Sequence, residues 1–96
     1  MPKKIKPETI IRNAIRDYLR VKGWSVIRIY QSQFSERGIP DLYALKNGRG
    51  IWIEVKTPNP RSKLSSDQEQ FGRGIKNYGG EWFVFRSIDE CMEILP

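Results

Sequence analysis

The chain has 96 residues, with 17 Lys and Arg against 11 Asp and Glu, a net charge of +6 and no histidine. That length predicts one small domain, and 39% hydrophobic residues beside a mixed-sign charged fraction of 29% argue against disorder. The absence of histidine excludes Ser-His and Cys-His nucleophile pairs, histidine-based nucleases and Cys/His zinc sites, and a lone cysteine, Cys91, excludes an internal disulfide.

The basic balance favours nucleic acid or another anionic surface as partner, although it sets affinity rather than chemistry. No apolar run approaches membrane-spanning length, and the basic N-terminus lacks the apolar core of a signal peptide. The expectation is a soluble, cytoplasmic protein with no membrane partner.

Met1 to Lys6 forms a basic arm carrying Lys3, Lys4 and Lys6. Pro7 suits the first position of a helix and Glu8 its positive end. Ile11, Ala14, Ile15, Tyr18 and Leu19 then recur at helical spacing, and Gly23 ends the helix. Trp24 to Tyr30, rich in β-branched and aromatic residues, predicts the first strand. Gln31 to Ile39 is polar and predicts an exposed loop, within which Phe34 either stacks on a base or covers the core.

Leu42 to Leu45 predicts a second strand and Ile51 to Thr57 a third, joined by a turn over Asn47-Gly48-Arg49-Gly50. Pro58 to Lys63 cannot continue a sheet. Ser66 followed by Glu69 predicts a capping box and a helix from about Asp67 to Tyr78, with Phe71, Ile75 and Tyr78 as its apolar stripe. Gly72 and Gly74 weaken that helix and hint at close packing. Trp82 to Phe85 predicts a buried strand. Ser87 with Glu90 then predicts a second capping box opening a short helix through Ile94, where Cys91 serves packing.

Within this frame, the hairpin from Gly38 to Lys56 carries the chemistry. Asp41 stands at the mouth of one strand, while Glu54 and Lys56 share a face near the end of its neighbour. Such triplets are common on solvated hairpins, but here apolar residues flank the acids. Two carboxylates on adjacent strands suit a hard divalent cation, with the Val55 carbonyl as a further oxygen. A lysine beside them suits chemistry at a phosphodiester.

Glu8 lies three residues before Ile11 and seven before Ile15, so it prolongs the inward stripe of the first helix. Gln68 stands in the same relation to Phe71 and Ile75. Arg37, Arg61 and Lys63 occupy the polar loops, where solvated charge is the ordinary role, but they flank the proposed site and suit phosphates. Lys3, Lys4 and Lys6 add to this basic surface. All five inward groups (Glu8, Asp41, Glu54, Lys56 and Gln68) are therefore expected to converge.

Taken together, Glu8, Gly38-Ile39-Pro40-Asp41-Leu42, Ile53-Glu54-Val55-Lys56-Thr57-Pro58, and Leu64-Ser65 with Gln68 resemble the virus-type replication-repair nuclease (VRR-NUC) domain, of the stand-alone phage type. That family lies in the PD-(D/E)xK, restriction-endonuclease-like superfamily, and the resemblance runs from about Pro7 to Glu90. It implies an α/β fold of order α-β-β-β-α-β-α, with a mixed sheet flanked by helices. It also implies phosphodiester hydrolysis dependent on Mg²⁺ or Mn²⁺, with no small-molecule cofactor. Asp41, Glu54 and the Val55 carbonyl would hold the metal, Glu8 through water, with Lys56 the catalytic lysine and Gln68 a helix-borne member of the site. Stand-alone members look like homodimers that cut branched DNA such as four-way junctions. A binding module without turnover, or a nuclease acting on RNA, are the alternatives.

Overall fold

Pro7 and Glu8 open the first helix as their chemistry predicts, and the computed structural model, which describes residues 4–96, places α1 at Pro7–Val21. Lys3 lies outside the described residues. Ile15 and Leu19 are its fully buried side chains, with Ile11 and Tyr18 packed alongside. Three strands follow, β1 (Ser25–Arg28), β2 (Leu42–Lys46) and β3 (Arg49–Val55), then α2 (Ser66–Asn77), β4 (Glu81–Phe85) and α3 (Ile88–Ile94). This is the expected α-β-β-β-α-β-α order.

The sheet order is β1-β2-β3-β4. The first three strands pair antiparallel, and β4 lies parallel to β3, with Ile53 opposite Phe83. The sheet is therefore mixed, because β4 returns through α2 as a parallel neighbour. One face carries Leu42, Ala44, Ile51, Ile53 and Val55, which bury with Ile15 and Leu19 of α1, Cys91 of α3 and Leu95 just beyond it. The other face meets α2, where Phe71 approaches the Trp52 ring edge-on at 5.5 Å.

Several boundaries differ from expectation. β1 is shorter than Trp24–Tyr30, since the Trp24 N–H is spent on the Leu19 carbonyl at the helix exit (2.9 Å) and Tyr30 is exposed. The hairpin needs only Asn47 and Gly48, at φ 51° and 81°, which is the two-residue turn that matches strand twist; Arg49 and Gly50 join β3. That strand ends at Val55 rather than Thr57. β4 is an edge strand in which only Phe85 is buried.

The box that opens α2 is one residue earlier than predicted. Ser65, not Ser66, is the N-cap, and Gln68, not Glu69, closes the box. Tyr78 falls at the C-cap and is exposed, so it leaves the inward stripe. At α3, Ser87 accepts from the Glu90 N–H, but the Glu90 carboxylate accepts from the Arg86 N–H instead of reciprocating.

Of the two helix glycines, only Gly72 is a close approach: a Cβ there would overlap the Trp82 indole, while Gly74 has open space. Alanine at 72 gains about 1 kcal/mol of helix propensity but overpacks a ring, at about 1–3 kcal/mol. Gly72→Ala is therefore expected to lose about 0–2 kcal/mol in urea unfolding, and Gly74→Ala to gain stability.

Candidate active site

Asp41 and Glu54 face each other one step beyond the last pair of the β2–β3 ladder, Leu42 with Ile53. Asp41 Oδ2 accepts the Val55 backbone N–H at 2.8 Å, so a side chain stands where a strand carbonyl would. Continuing the register sets Pro40 opposite Val55, and proline has no N–H to offer the Val55 carbonyl. That carbonyl and the Asp41 carboxylate thus lie on the same side of β3.

Glu54 is 1% exposed. Its Oε1 accepts from Gln68 Nε2 at 3.2 Å, while its Oε2 is buried with no hydrogen-bond partner. Burial is the chief reason that its carboxyl is pushed up to about 9. The Asp41 carboxylate beside it adds charge repulsion and favours the protonated form by hydrogen bonding, Lys56 opposes the shift, and Glu8 contributes a small push upward. Without a cation, Glu54 keeps its proton at neutral pH.

Gln68 is held at both ends. Its Oε1 accepts the Ser65 N–H at 2.9 Å to complete the helix cap, leaving Nε2 for Glu54. Gly38, at φ 77°, lets the preceding loop lie against the start of α2, where any Cβ would overlap the Asp67 backbone. Lys56 follows Val55 out of the strand, its N–H anchored to the Phe85 carbonyl at 3.0 Å.

Glu8, Asp41, Glu54, Lys56 and Gln68 all line one cleft of about 480 Å³. The expected convergence is found. The same cleft takes in Arg12, Arg28, Tyr30 and Gln31, which the sequence reading did not single out. Arg12 had a readable signal, since it lies one helical turn beyond Glu8. Arg28 had none; it ends β1, donates to the carbonyls of Ile29 and Asp41, and stacks over the Tyr30 ring at 4.7 Å.

The basic loop residues are placed less centrally. Arg37 lines an adjoining groove that shares Gln31 and Gln68 with the cleft. Lys4, Lys6, Arg61 and Lys63 are exposed and do not line the cleft. Phe34 is 89% exposed and covers no core. Cys91 is buried, and burial pushes its thiol up to about 11, as suits a packing residue.

Among the described residues no three acidic, histidine or cysteine side chains form a ready cation cage. The donor set is smaller: two carboxylates and a strand carbonyl, with one carboxylate oxygen buried and unpartnered. Mg²⁺ and Mn²⁺ favour oxygen donors, and Mg²⁺ is commonly held by one or two carboxylates with water filling its shell. The residues present fit such an ion.

Comparison with known proteins follows the same direction. The family described as archaeal Holliday junction resolvase (hjc) matches residues 6–84. The crossover junction endodeoxyribonuclease Hjc of Sulfolobus acidocaldarius is 34% identical over 100 residues, covering 99% of this chain and 68% of the relative. Its counterpart from Sulfurisphaera tokodaii is 34% identical over 82 residues, covering 80% of this chain and 56% of the relative. A solved VRR_NUC domain superposes with a TM-score of 0.81 at 22% identity, covering 95% of this chain and 96% of that one, a likeness of fold. The structure of Archaeoglobus fulgidus Hjc, a Holliday junction resolvase, gives a TM-score of 0.61 at 27% identity over 79% of this chain and 64% of that one.

Proposed function

The chain belongs to the archaeal Holliday junction resolvase family, and from that premise we propose that it is a metal-dependent endodeoxyribonuclease that hydrolyses phosphodiester bonds in branched DNA such as four-way junctions. The observation that supports this most directly is the meeting of Asp41, Glu54, Lys56, Glu8 and Gln68 in one cleft, with Glu54 Oε2 buried and unpartnered.

In this reading Asp41, Glu54 and the Val55 carbonyl hold Mg²⁺ or Mn²⁺, with Glu8 in support through water. The ion supplies Lewis-acid stabilisation of a phosphoryl oxygen and a nucleophile usable at neutral pH. Lys56 offsets negative charge that builds on the phosphoryl oxygens. Gln68 fixes the Glu54 carboxylate through Nε2 on one oxygen, and the second oxygen is left without a partner. The Val55 N–H holds Asp41 in the same manner. Both carboxylates are thereby oriented before substrate arrives, which lowers the reorganisation required at the reacting phosphate.

Symmetric cuts across a junction call for two sites related by a two-fold axis, so we also propose a homodimer. The sheet face that α2 leaves bare supports this, since Ile27 and Leu45 are exposed there. Light scattering of the free protein should give twice the chain mass. No helix among the described residues is long and apolar enough to cross a membrane, and we propose an intracellular site of action.

The deciding experiment is cleavage of a four-way junction, a linear duplex and a matched RNA, each with Mg²⁺ and with chelator. Junction cutting that vanishes with chelator is expected. Salt-sensitive binding with no metal-dependent product would instead make the protein a binding module.

A further inference from the structure

Arg12 is a cleft residue whose bonding is incomplete. It sits on α1 one turn beyond Glu8, the spacing at which an acid and an arginine ordinarily pair. The pair does not form: the ion pairs among the described residues are Arg16 with Asp17 and Arg49 with Glu81. Arg12 Nη2 reaches only the Thr9 hydroxyl, at 3.5 Å, and its Nε is buried with no partner. A buried charged donor without an acceptor is costly. Here it lines the cleft that holds Asp41, Glu54 and Lys56.

The other cations of the cleft are differently occupied. Arg28 spends donors on the Ile29 and Asp41 carbonyls and its face on Tyr30. Lys56 offsets the charge of Glu54. Arg12 thus lines the same cleft as the carboxylate pair without pairing to an acid, and beyond the Thr9 contact no protein group among the described residues takes up its guanidinium donors. A phosphate has the geometry for that planar fork of donors.

Resting on the nuclease reading of the cleft, we propose that Arg12 grips a backbone phosphate flanking the scissile one and so sets the register of the DNA strand over Asp41 and Glu54. It is a binding residue in this role, and its loss should fall on KM much more than on kcat.

The test uses the full chain and a four-way junction, with binding read by fluorescence anisotropy in chelator and cleavage read in Mg²⁺. Arg12→Gln is expected to raise Kd about tenfold and to reduce the slope of log affinity against log salt by about 1. Arg12→Lys should recover the slope but only part of the affinity, because lysine lacks the fork. A series of junctions, each with one phosphate beside the cut replaced by uncharged methylphosphonate, completes the experiment. Wild-type protein should be weakened by one such replacement to which Arg12→Gln and, in part, Arg12→Lys are indifferent. Wild-type Kd and salt slope in Arg12→Gln would overturn the proposal, as would equal sensitivity of all three proteins at every phosphate. If wild-type protein neither binds nor cuts the junction, the nuclease reading itself fails; if it does both and the variants match it, only the role of Arg12 fails.

Discussion

Asp41→Asn protein should remain folded and should still bind a four-way junction, while losing cleavage by about 10³-fold. The asparagine keeps an oxygen for the Val55 N–H that Asp41 Oδ2 accepts at 2.8 Å, so the hairpin mouth is preserved. What it loses is the negative charge that would hold the cation. Asp41→Ala removes both and is expected to lose roughly 1 kcal/mol of stability besides activity. Lys56→Ala tests the remaining half of the site; without its charge on the phosphoryl oxygens, cleavage should fall about 10²–10³-fold. Single-turnover cleavage with thermal melts of each protein measures both effects. Unchanged cutting by Asp41→Asn or Lys56→Ala would remove those residues from the site.

Glu54→Gln should move activity and stability in opposite directions. In the metal-free fold Glu54 titrates at about 9 instead of its ordinary 4.5. Between those values the folded chain holds a proton that the unfolded chain has released. The metal-free protein is therefore most stable below about pH 4.5 as far as this group is concerned, and it loses that contribution as pH rises through about 9. Glutamine is neutral throughout and can keep an oxygen toward Gln68. At pH 8, in chelator, Glu54→Gln should melt higher than wild type by about 5 °C or more, with most of the pH dependence gone. Adding Mg²⁺ at pH 8 should raise the melting temperature of wild type and leave the variant where it was, and the variant should not cut DNA. Melting curves with the same pH dependence in both proteins would show that Glu54 is not held protonated by its surroundings.

The opposed effects share one cause, which is that the carboxylate pair is built for a cation rather than for the fold. Two acids side by side, one of them fully buried, weaken the metal-free protein. The arrangement persists because Gln68 and the Val55 N–H each hold one carboxylate oxygen in place.

Much of this site could be read from spacing. Alternation along β3 puts Glu54 and Lys56 on one face, the Asn47-Gly48 turn brings Asp41 beside them, and helical spacing turns Glu8 and Gln68 inward. Arg28 could not be read so, because nothing in its neighbours distinguishes it from an ordinary strand-end arginine. Its place follows from the Asp41 carbonyl, which belongs to another strand. Tyr78 misled for the opposite reason: it has the right spacing, but the helix ends one residue earlier and leaves its ring in solvent.

The cap of α2 shows most clearly where local chemistry stops deciding. Ser65 with Gln68 and Ser66 with Glu69 are equally good boxes by their side chains. The first prevails in a structure where Gln68 also reaches Glu54, fourteen residues away, a contact invisible within one helical turn. By itself the sequence determined the order of elements, the inward residues and the chemical type of the site, since each depends on neighbours within a few positions. Only the tertiary structure decided which serine caps the helix, that Glu54 is protonated without a cation, and that Arg12 enters the cleft with donors to spare. Those depend on burial and on partners distant in the chain, which no local pattern encodes.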